Sequence, residues 1–129
     1  MITLDDPPIN PLVIGDDYDI TREVTGIPED DTIEEAWLTI KLTEFDDDED
    51  AIIQKNITSA PAIGVGQVLD IGDNSAKVGS ILFQLTATDT GLLDSYTLYR
   101  YDIQVLTTAG KRSTREQGVL LPQGQITQA

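Results

Sequence analysis

YRYDIQVLTTAGKRSTREQGVLL, residues 99–121, is the stretch that decides the fold class. Tyr99, Tyr101, Ile103 and Val105 alternate with Arg100, Asp102, Gln104 and Leu106. That period of two belongs to a half-buried strand, because successive side chains leave a strand on opposite faces. The run breaks at Ala109-Gly110-Lys111, where a strand can reverse, and a polar run of strand length follows. The reading is an antiparallel hairpin of 96–108 with 112–121.

The same period recurs upstream. Tyr18, Ile20 and Val24 alternate with Asp19, Thr21 and Glu23; Ala36, Leu38, Ile40 and Leu42 alternate with Trp37, Thr39, Lys41 and Thr43; and Ile81, Phe83 and Leu85 alternate with Leu82, Gln84 and Thr86. Turn chemistry separates them at Gly15-Asp16-Asp17, Gly26 to Asp31 and Gly72-Asp73-Asn74. Strands are therefore expected near 11–14, 17–25, 33–45, 51–58, 66–72, 79–88, 96–108 and 112–121. Only residues 30–36 carry a weak helical pattern, and the strand reading is preferred there.

About seven to nine short strands with no long helix predict an all-β fold, an antiparallel immunoglobulin-like β-sandwich, with a closed barrel as the alternative. Tyr101, Ile103 and Val105 should point inward beside Leu38, Ile40 and Phe83, and Trp37 is a candidate for the centre of the core. Residues 1–129 read as one domain with a proline-marked N-terminal arm, 1–11, and a polar C-terminal tail, 122–129.

Composition narrows the function. The 129 residues include no cysteine and no histidine. That removes disulfides, the usual zinc and copper ligands, Ser-His and Cys-His nucleophile pairs, and a histidine pH switch. The expected protein is not an enzyme and carries no cofactor. The net charge is −15, and it is one-sided: residues 1–50 hold 17 acids against Arg22 and Lys41, whereas residues 51–129 balance six against six. Nucleic acid and anionic membrane surfaces are excluded as partners, since both need a basic face. The N-terminus has no basic segment leading into an apolar run, so synthesis without a signal peptide, in a cytoplasm, is expected.

Against this acidity, four of the eight basic residues, Arg100, Lys111, Arg112 and Arg115, fall within the C-terminal hairpin. Two readings compete for them: local pairing with Asp102 and Glu116, or a docking edge for the acidic half of a neighbouring copy. The acidic counterpart is Asp46, Asp47, Asp48, Glu49 and Asp50. Asp46, Asp48 and Asp50 match the first three ligand positions of an EF-hand loop, but Ala51 stands at the glycine position and Ile57 at the bidentate glutamate position. The tip is read as a solvated partner-facing loop, with a looser calcium site helped by Asp70 and Asp73 as the alternative.

Tyr96 and Tyr99 are candidates for a sugar-stacking surface, while Tyr101 shares its face with Ile103 and Val105 and belongs to the core. The many carboxylates single out no acid/base pair for glycoside chemistry. Asn56-Ile57-Thr58 matches a glycosylation sequon but is read as chance on a strand.

The hairpin at 99–121, with its Tyr-x-Tyr-Asp-Ile-Gln-Val strand, Gly turn, basic strand and aliphatic pair, resembles the C-terminal hairpin of small β-sandwich structural proteins of tailed-bacteriophage virions. PLVIGDDYDITREVTG, residues 11–26, is similar to the start of such modules. The resemblance implies a structural role as a capsid decoration or cement protein first, and as a tail or baseplate adaptor second. It carries no catalytic residues. Its implied partners are other virion proteins and further copies of the chain, its implied location is the virion, and the arm with Pro7 and Pro8 becomes a candidate holding segment. A sugar- or calcium-binding module is the alternative from another class.

Overall fold

Alternation along the chain becomes alternation of burial in space. The computed structural model describes residues 12–43 and 48–124. Seven strands run in order: β1 (Tyr18–Val24), β2 (Ile33–Lys41), β3 (Ile53–Ile57), β4 (Gly66–Asp70), β5 (Gly79–Leu85), β6 (Tyr99–Thr107) and β7 (Arg112–Leu120). A 3-10 turn, Asp48–Asp50, precedes β3, and one helical turn, α1 (Ala87–Thr90), follows β5. The fold is all-β. The arm with Pro7 and Pro8, the residues Asp46 and Asp47, and the end of the tail lie outside the described residues.

The strands form two antiparallel sheets, one of order β1-β5-β4 and one of order β3-β2-β6-β7. Each turns one face to a single shared core, which is sandwich-like. Ile20, Phe83, Ile81 and Val68 enter it from the first sheet; Leu38, Ile40, Ile57, Tyr101, Ile103 and Val105 enter it from the second. The inward set expected from the alternation is thus the buried set. Each such aliphatic or aromatic side chain stabilises by roughly 1.5–3 kcal/mol on burial. No described helix is long and apolar enough to cross a membrane.

The β6–β7 hairpin closes through a three-residue loop, with Thr107 N donating to Lys111 O (2.9 Å) and Gly110 N to Thr107 O (2.9 Å). Gly110 takes a φ of 85°, the left-handed residue that such a loop requires. Gly66 has a different necessity, since a Cβ there would stand 2.0 Å from Leu82 O, where β4 crosses close to β5.

Four expectations shift. Trp37 lies on the outer face of the second sheet, half-buried, because Ala36, Leu38 and Ile40 take the inward positions and a period of two sends their neighbour out. The strand expected at 79–88 stops at Leu85, because Thr86 accepts a hydrogen bond from Asp89 N while its own N–H bonds to the Asp89 carboxylate. That capping box starts α1. β2 ends at Lys41, short of the expected 45. The strand expected at 11–14 reduces to one parallel bridge between Val13 and Gln123.

Candidate functional site

Two polar clamps hold the sheets together and so fix what faces outward. The first comes from a bulge. β7 pairs regularly up to Thr114 opposite Gln104, then Arg115 is left over and Glu116 stands opposite Ile103. The extra residue changes the phase of the alternation and turns Glu116 into the core, 1% exposed. There its carboxylate accepts from Arg22 Nε at 2.7 Å, Arg22 Nη2 at 3.3 Å and Tyr101 Oη at 2.5 Å. Arg22 comes from β1 in one sheet, and Tyr101 and Glu116 come from β6 and β7 in the other. Burial first, and then the Glu116 carboxylate, hold the Tyr101 phenol well above its ordinary pKa of 10.0.

On the opposite side, Lys55 from β3 meets Asp89 of α1 at 2.7 Å and also donates to Gly64 O at 2.9 Å. Burial pushes the Asp89 carboxyl up, but Lys55 and the bonds from Thr86 outweigh it, and its pKa stays below 3.8. A third anchor is Asp31, whose Oδ1 accepts from Thr32 N, Thr108 Oγ1 and Ala109 N, tying the entry of β2 to the hairpin loop. The Thr107 hydroxyl beside it and then these donors, working against burial, bring its carboxyl down to about 2.

With the sheets fixed, the outer face of β3-β2-β6-β7 is defined by register. Lys41, Arg100 and Val119 lie in one row, Thr39, Asp102 and Gln117 in the next, and Trp37, Gln104 and Thr114 beyond them. A groove of about 350 Å³ runs along the first two rows, lined by Thr39, Lys41, Arg100, Asp102 and Gln117, where Tyr101 faces Gly118. Gln54 Nε2 donates to Thr39 Oγ1 at 3.1 Å and Gln104 Nε2 reaches Asp102 at 3.4 Å, so the groove walls are braced.

At one end of the face Val119, Leu121 and Leu98 are exposed, continuing the outward alternation of β7 and β6. Tyr96 stands beside them, 78% exposed. Its N–H is held by Pro122 O at 3.0 Å, with its backbone at a φ of 59°, a costly conformation for a bulky residue.

The four hairpin cations do not form one patch. Arg100 lines the groove, and Arg112 lies over the Trp37 ring, 4.5 Å from its centroid. Lys111 is exposed at the turn. Arg115, the bulged residue, leaves the face and donates to Thr25 O at 2.7 Å, just past β1. The pairing expected between these cations and Glu116 is replaced by the Arg22 pair, because the bulge turns that carboxylate inward.

Of the acidic tip, Asp48, Glu49 and Asp50 form the 3-10 turn, with Glu49 and Asp50 exposed. Asp70, offered as a calcium helper, accepts from Gly72 N and Asn74 Nδ2 and so shapes its own turn. Among the described residues no three acids gather as metal ligands.

The sugar-stacking pair is overturned at Tyr99, which is 2% exposed and accepts from Asp94 N at 2.8 Å; its place in the inward alternation with Tyr101 decides this. Sequence reasoning missed Arg22, Glu116 and Asp31, whose burial depends on a bulge and on long-range partners. Thr86-x-x-Asp89 carried a legible capping signal. No protein-family model and no curated protein sequence matches the chain.

Proposed function

We propose that this chain is a non-enzymatic docking module, an immunoglobulin-like sandwich that builds part of a tailed-phage virion by seating on neighbouring protein subunits. Capsid decoration comes first and a tail or baseplate adaptor second. The observation that carries the docking role is the outer face of β3-β2-β6-β7. Exposed Leu98, Val119, Leu121 and Tyr96 adjoin the cations Lys41 and Arg100 at one end of it, and Arg112 covers Trp37 at the other, on a sheet clamped from behind. Apolar side chains rimmed by charge and polar groups are the composition of a protein-binding surface.

Two features support the immunoglobulin-like reading. The order β1-β5-β4 over β3-β2-β6-β7 corresponds to strands B-E-D over C′-C-F-G of that fold. Tyr99, at the start of β6, bonds back to the corner five residues upstream, as the tyrosine corner of such sandwiches does. The virion reading rests on the resemblance carried by residues 11–26 and 99–121.

The test is cross-linking of purified virions followed by mass spectrometry. Cross-links from residues near Lys41 and Lys111 to capsid or tail subunits are the expected result. A protein that stays in the lysate and is absent from every purified particle defeats the reading.

A further inference from the structure

We draw no further inference here: the strongest candidate, the hydrogen-bonded turn at residues 62–65 between β3 and β4, which leaves Ile63 exposed in a loop without charged residues, is an unpartnered apolar surface, and nothing in the structure shows what covers it.

Discussion

Replacing Glu116 by Ala is the most direct probe of what joins the two sheets. The carboxylate is 1% exposed and holds Arg22, 9% exposed, together with the Tyr101 hydroxyl. Removing it takes away the charge that neutralises a buried guanidinium, a loss of about 3–5 kcal/mol where a buried ion pair is broken from one side. The Tyr101 hydroxyl loses its acceptor too, adding about 1 kcal/mol. Folded domains have only about 5–15 kcal/mol in total, so the variant should be marginal or unfolded at ambient temperature.

Arg22→Met with Glu116→Leu makes the opposite prediction. Replacing a buried pair by well-packed apolar groups is often neutral or stabilising, so the double variant should recover most of the loss. Urea unfolding followed by the fluorescence of Trp37, the single tryptophan, measures both. A Glu116→Ala variant that loses less than about 1 kcal/mol, or a double variant no better than the single, refutes the clamp.

Two further predictions concern pH and one concerns the core. The folded-state pKa of Tyr101 lies above its unfolded value of 10.0, so its contribution to stability is whole below about pH 10 and is lost as pH rises beyond it; Tyr101→Phe should flatten that alkaline decline in urea midpoints. Asp31 runs the other way: with its pKa at about 2 against 3.8, its contribution is present above about pH 4 and fades as pH falls toward 2, and Asp31→Asn should remove that part of the acid dependence. Val105→Asp would bury an unpaired carboxylate at a fully buried position and should abolish cooperative unfolding near neutral pH, returning it only at acid pH, where the group is neutral.

How much of this was legible follows from the range of the interactions. The inward faces of β2, β5 and β6 could be read from Ala36-Leu38-Ile40, Ile81-Phe83-Leu85 and Tyr99-Tyr101-Ile103-Val105, because a period of two is a local property of the chain. Glu116 could not be. Ser-Thr-Arg-Glu-Gln has no apolar phase to follow, and the bulge that turns the glutamate inward is set by its pairing with β6 and by Arg22, 94 residues away. Trp37 was legible in principle, since its own alternation sends it outward; size alone argued for the core, and Arg112 satisfies the ring from outside. The basic cluster was visible as a count of cations in the hairpin. Arg100 and Arg112 follow the outward alternation of their strands, whereas the departure of Arg115 to Thr25 depends on the same bulge.

The bulge also sets which β7 residues face the docking surface, and two deletions separate its phase from its length. Without Arg115, Thr114 would still pair with Gln104 and Glu116 with Ile103, now in an unbroken ladder. Glu116 and Leu120 would both stay inward, and the loss should be limited to the Arg115–Thr25 bond and a local change of twist, about 1 kcal/mol. Deleting Gln117 offers no such exit. If Arg115 remains bulged, the residues after Glu116 change face, and Leu120, now fully buried opposite Tyr99, is driven outward while Val119 turns in. If instead the bulge is absorbed to keep Leu120 inward, Arg115 takes the inward place of Glu116 and meets Arg22, a like charge where a carboxylate stood. Either route costs about 3 kcal/mol or more, through exposed apolar area in the first case and a buried charge without its counter-ion in the second. Urea midpoints of the two deletion variants decide the matter: the Arg115 deletion should lie near wild type and the Gln117 deletion far below it. Equal stability of the two would mean that β7 slides freely on β6, and that neither the clamp nor the outward row of Arg112, Thr114, Gln117 and Val119 is held by the register described above.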